Sequence, residues 1–271
     1  MFDFIKFIYD DCFRVALNHS IMTDPYSLTM IFFTLLLAGT IKGTIGLGLP
    51  MISVGVLVAT FDLTTAMALV IMPAFVTNVW QAIVGGNGMV ILKRLWPFLF
   101  FAIATVWIGA MALTTFNTAY LSIFLGILLL SYSSLNLIGL QFFIPPHHEK
   151  WMGLIIGATN GIFTGMAGSL SMPGILYLQS IGLSRDMQVQ AMGILFLLST
   201  IGLAIALQNN NLLSSELTTI STFAVIPSLV GMAVGQRIRK RLSKQRFRQV
   251  VSIAIFVLGL FIILKTFLSM H

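Results

Sequence analysis

The stretch AGTIKGTIGLGLP, Ala38 to Pro50, places four glycines, a proline and Lys42 inside one of the most apolar regions of the chain. Glycine and proline are poor residues for a helix interior, and a lysine is costly in an apolar medium. The chemistry this mixture can do is anion binding. A helix that begins among glycines presents unpaired backbone N–H groups and the positive end of its dipole. Glycine lets a ligand approach that backbone closely, and an ammonium adds a full charge. Gly43, Thr44, Gly46 and Gly48 are then candidate lining residues beside Lys42. The competing reading is an early helix end with Lys42 snorkelling to an interface. About 24 Å of helix is available from Tyr26, which argues against a plain snorkel.

A second copy of the pattern lies further on. Gly39, Gly43 and Gly46 have the spacing GxxxGxxG, and Gly161, Gly165 and Gly168 repeat it 122 positions later, with Pro50 and Pro173 following one position out of register. GxxxG alone is a common helix-packing device in membranes. Two copies in corresponding broken segments point instead to an internal repeat of the transporter type. Asn160, Thr164, Gly165, Gly168, Ser169 and Ser171 are the second half's candidate lining residues, and Thr164 stands where the first half has Lys42. For Asn78, Gln81, Gln188 and Gln190, interhelical hydrogen bonding is favoured over substrate contact.

The elements that carry these residues must be membrane helices. The composition is 58% hydrophobic and only 8% charged, with a mean hydropathy of +0.98. A soluble domain is about a quarter charged. Apolar spans fall at residues 27–61, 65–84, 95–114, 119–140, 151–181, 188–207, 217–235 and 247–267. Six are close to one crossing in length, while the first and fifth are overlong and broken. The expected fold is an all-α polytopic membrane protein of about eight segments in two inverted repeats, each opening on a broken, re-entrant segment. Residues 1–25 read as an amphipathic interfacial helix, 26–140 as the first repeat, 141–150 as a solvated connecting loop and 151–271 as the second repeat.

Charge selects the topology. Seven of fifteen basic residues lie in RIRKRLSKQRFR, Arg237 to Arg248, which fixes orientation and meets anionic lipid rather than nucleic acid. If the fifth segment returns to the side it left, Lys93, Arg94, Lys150 and this cluster all become cytoplasmic together. Treating the first segment alike puts both termini outside.

Several classes drop out. One cysteine excludes a disulfide framework and a cysteine-based metal cluster. No GxxxxGK[ST] is present, so the chain does not hydrolyse nucleotide. No His, Asp, Glu or Cys lies deep in a span, which leaves a membrane enzyme without a nucleophile, base or metal ligands. HHEK in the connecting loop lacks a helix-spaced partner for a metal. The expectation is a transporter in the cell membrane for a small anion, not an enzyme and without cofactor or metal, with a passive anion channel as the alternative.

GTIKGTIGLGLP from Gly39 and GATNGIFTGMAGSLSMPG from Gly157, each followed by a polar turn and a further span, resemble the TauE/SafE sulfite-exporter family of membrane permeases. The resemblance covers the chain after about residue 26. It implies about eight membrane segments in two related halves and transport of sulfite, sulfonates or other sulfur-containing anions. The matching positions are Gly39, Gly43, Gly46, Gly48 and Pro50, and Gly161, Gly165, Gly168 and Pro173. Leu49 and Ser169 stand where family members often continue a glycine run.

Overall fold

The computed structural model describes residues 21, 24–140, 142–168, 172–239 and 244–270. The expected interfacial segment 1–25 lies almost wholly outside them, as do Ser169, Ser171 and residues 240–243 of the basic cluster. All regular structure among the described residues is helical: α1 (Pro25–Ile45), α2 (Leu49–Leu57), α3 (Leu63–Ile83), α4 (Gly88–Ala104), α5 (Val106–Thr115), α6 (Thr118–Ile138), α7 (Pro146–Ala167), α8 (Met172–Ser180), α9 (Arg185–Asn209), α10 (Ser215–Phe223), α11 (Val225–Ile238) and α12 (Lys244–Ser269). Among the described residues, seven helical stretches, counting α4–α5 and α10–α11 as one each, are long and apolar enough to cross a membrane. The chain is a polytopic membrane protein.

Local chemistry fixes the ends. Asp24 caps α1, accepting from the Tyr26 and Ser27 N–H groups, with Pro25 in the first turn, where its missing N–H costs nothing. Asp62 caps α3 in the same way through Thr64 and Thr65. Inside α3, Pro73 has no N–H for the Leu69 carbonyl, and the Ser221 hydroxyl of α10 donates to that oxygen at 3.0 Å.

Helix direction follows from who meets whom. Lys42 near the end of α1 reaches Thr77 and Asn78 near the end of α3, so α1 and α3 run the same way and α2 must return between them. In the second half the return is closed at its base. The Ile144 N–H donates to the Ser180 carbonyl at 2.9 Å, joining the residues before α7 to the end of α8. Arg94 of α4 grips both arms, bonding the Glu149 carboxylate through two nitrogens at 2.8 Å and the Ile181 carbonyl at 2.9 Å.

Two expectations are corrected here. The first and fifth segments are not pairs of half-helices. α1 has 21 residues and α7 has 22, about 30 Å each, while only the returning arms, α2 and α8 with 9 residues apiece, are short. Nor is HHEK a loop: α7 begins at Pro146, and although His147, His148 and Lys150 are exposed, Glu149 in the first turn is 8% exposed and paired with Arg94. A buried carboxylate needs such a partner, which a loop reading of the sequence had no means to supply.

Packing exchanges the halves. α1 lies along α11, and α7 lies along α4 and α5. The glycines make this possible. A β-carbon at Gly43 would stand 2.2 Å from the Met232 carbonyl oxygen, and one at Gly165 2.2 Å from that of Val106. The backbones touch, and nothing larger fits.

Candidate functional site

Lys42 sits in the last turn of α1, three residues before the helix ends, and is 3% exposed. It does not snorkel. Its Nζ donates to Thr77 Oγ1 at 3.1 Å and to Asn78 Oδ1. Thr77 passes its own proton to the Pro73 carbonyl at 2.7 Å, so its lone pairs are free for the lysine. Asn78 Nδ2 donates across to Thr200 Oγ1 of α9 at 3.3 Å, and Thr200 donates to the Phe196 carbonyl. Every member of this chain has one consistent polarity. An ammonium carries three donors, and these acceptors take two. A third N–H remains beyond these two acceptors.

The break after α1 is a glycine turn. Gly46 (φ 79) is the C-cap of α1, with its N–H on the Lys42 carbonyl at 2.7 Å, and Gly48 (φ 99) opens α2. Both lie in the left-handed region that favours glycine. No side chain caps α2, and Pro50 removes one of its first donors. Gln81 buttresses the turn, donating to the Gly46 carbonyl at 3.0 Å and the Val189 carbonyl at 2.9 Å. Those two bonds fix its amide, so the buried Oε1, which has no partner, is an acceptor.

A cavity of about 560 Å³ opens beside this turn, lined by Lys42, Gly43, Gly46, Gln81, Gln236 and Arg239 among others. A larger one of about 1060 Å³ lies on the other side, where Thr44, Gly48, Asn136, Arg185, Arg239 and Arg248 contribute. Arg239 belongs to both. No carboxylate appears among the described residues lining either cavity, so the walls carry positive charge without its counter-charge. A small anion is the ligand such walls attract.

The expected residues therefore fall into different places. Lys42, Gly43, Gly46 and Gln81 share the first cavity. Thr44 and Gly48 face the second, with the Thr44 hydroxyl returned to the Thr40 carbonyl at 2.7 Å. Gly165 is held between helix backbones and has a packing reason to be glycine, as does Gly43. Gly168 (φ 70) caps α7 as Gly46 caps α1. Asn160 accepts the Gly174 N–H at 3.1 Å, and its Nδ2 has no partner; the buried Thr164 hydroxyl has none either. Gln190, as favoured, bonds between helices, donating to the Ala82 carbonyl at 2.8 Å.

Thr77, Thr200, Gln236 and Arg239, which the sequence did not single out, join the Lys42 network or its cavity, and Asn78, as favoured, bonds between helices. One signal was available. Asn78 and Thr200 are 122 positions apart, as are Lys42 and Thr164, and Gly46 and Gly168.

No curated protein and no solved structure matches this chain. The sequence profile of one family, described as Sulfite exporter TauE/SafE, matches residues 31–262, which takes in both broken segments, Lys42 and the Asn78–Thr200 contact. With most of its length matched, the chain belongs to the TauE/SafE family of membrane transporters.

Proposed function

We infer that the protein is a secondary transporter of a small oxyanion of sulfur, of the sulfite or sulfonate class, bound beside Lys42 at the centre of two inverted repeats. One observation carries the reading: a buried ammonium with a free donor stands against a cavity whose other charged lining residue is Arg239, with no carboxylate among the described residues there. Residues equivalent in two halves related by a two-fold can touch one another only near the axis. Asn78 and Thr200 are such a pair at the 122-residue offset of the glycine motifs. The lysine bonded to Asn78 is therefore close to that axis, where alternating access needs its site.

Both cavities flank the Gly46–Gly48 turn at the end of the bundle that carries Arg185, Arg239 and Arg248. The positive-inside rule makes that end cytoplasmic, so this conformation is open inward in the cell membrane. Basic residues 237–248 meet anionic lipid at the rim. The sulfur oxyanion comes from the family's description, and the tetrahedral or pyramidal oxygens of that class suit an ammonium, an amide and a guanidinium converging from different helices.

The test is uptake into proteoliposomes across sulfite, thiosulfate, sulfonates and carboxylates. Saturable uptake of one sulfur oxyanion, in competition with its relatives, is expected. Equal, non-saturating flux of all the anions would identify a channel, and carboxylate uptake alone would remove the sulfur assignment.

A further inference from the structure

The two long arms end alike but are charged differently. α1 has Lys42 in its last turn, where a cation meets the negative end of the helix dipole. α7 has no basic residue in its last turn and carries Thr164 at the matching position. The acceptor of Lys42, Thr77, is matched in the second half by Ser199. Thr164 Oγ1 and Ser199 Oγ are both fully buried, and neither has a hydrogen-bond partner.

That orphaning is unusual in this molecule. Thr44, Ser53, Ser133, Thr200 and Ser228 all return their hydroxyls to the carbonyl four residues back, at 2.7–2.9 Å. A buried hydroxyl without a partner costs about 1–3 kcal/mol. The two orphans also lie at matching levels of α7 and α9. A β-carbon on Gly174 would stand 2.6 Å from Asn160 Oδ1 and 2.8 Å from Leu195, so Asn160 of α7 and Leu195 of α9 flank the same point. Both helices advance from the basic end, so one turn further along each puts Thr164 and Ser199 at the same level.

We propose that Thr164, Ser199 and the carbonyl end of α7 form a site for a small monovalent cation, sodium or potassium, which occupies in the second half the place that the Lys42 ammonium occupies in the first. Hydroxyl and carbonyl oxygens with no carboxylate among the described residues suit a single charge, since calcium sites recruit carboxylates. The unpaired end of Asn160 is an N–H₂, fixed by the Gly174 N–H on its oxygen, and is a donor that serves the anion rather than the cation. The proposal builds on the reading of Lys42 as the fixed charge of the anion site. An anion between a tethered cation and a free one is held from both sides, and by linkage the free cation raises affinity for the anion as the anion raises affinity for it.

The experiment is thermal unfolding of the purified protein in sodium, potassium and choline chlorides at equal ionic strength, with no oxyanion present. This readout stands apart from substrate binding, so failure of the anion reading leaves it informative. A saturable rise in midpoint with sodium or potassium over choline is expected, and the better of the two identifies the physiological ion. Thr164→Val and Ser199→Ala should each weaken that ion's apparent affinity roughly tenfold or more. In choline, both variants should melt at or above the wild-type temperature, because each removes an unpaired hydroxyl. Identical midpoints in all three salts would overturn the proposal, as would a cation shift retained in both variants. Melting of both variants well below wild type in choline would assign the hydroxyls to structure and overturn it as well.

Discussion

At the scale of single residues, the lysine, its two acceptors and the hydroxyl beyond them form one hydrogen-bonded chain. Asn78→Asp is the most revealing change, because it places a carboxylate on the ammonium and neutralises the site without altering side-chain size. The variant loses the Nδ2 donor to Thr200 but gains an ion pair with Lys42, so it should still fold, yet bind sulfite roughly ten- to hundredfold more weakly, the range that one charge-assisted hydrogen bond spans. A sulfite titration by calorimetry reads this directly, and undiminished affinity would detach Lys42 from the ligand. Lys42 was legible in the sequence because a charge among glycines in an apolar run has few explanations. Its partners were not. Thr77 and Asn78 are ordinary polar residues for a membrane helix, and only the fold shows that the ammonium rests on them rather than on water. Arg239 was visible only as one member of a basic cluster, whereas the fold sets it in both cavities.

Among the elements, the two glycine classes separate cleanly. Gly165→Leu forces a side chain between α7 and α5, where a β-carbon already meets backbone at 2.2 Å, and should sharply reduce the folded fraction recovered from membranes. Gly46→Ala meets nothing closer than 3.7 Å and suffers only left-handed strain, about 1–2 kcal/mol, so it should fold with a modestly lower midpoint. Size-exclusion profiles of the two purified variants make the comparison. The proline in α3 gives a second element-scale test. Ser221→Ala strips the Leu69 carbonyl of its donor and should destabilise by about 1–2 kcal/mol. In a Pro73→Ala background the restored N–H serves that carbonyl, and the same change should cost far less. The sequence made the broken segments legible through spacing and repetition. Their asymmetry was hidden, because the length of α1 depends on Gly46 rather than Gly39 or Gly43 being the cap. Nothing in GxxxGxxG marks which glycine is the cap; in the fold Gly39 and Gly43 are held against α11 and Gly46 is not.

For the whole molecule, composition alone was enough to establish a polytopic membrane protein, and the re-entrant path was argued from where the positive charges had to lie. Two contacts bear on that path: Lys42 against Asn78 sets α1 and α3 parallel, and Ile144 against Ser180 joins the start of α7 to the end of α8. With Cys12 replaced, single cysteines at positions 93 and 185 should label from the side that also labels 240, and those at 116 and 211 from the other. The Glu149–Arg94 clasp across α4 and α7 was beyond the sequence, since pairing residues 55 positions apart takes the fold. The central claim is that an anion sits on Lys42 near the axis relating the halves, and sulfite titration of wild type and Lys42→Gln at equal folded content tests it most directly. The account expects affinity to fall roughly ten- to hundredfold in Lys42→Gln, with partial recovery in Lys42→Arg. Equal sulfite affinity in wild type and Lys42→Gln would contradict it.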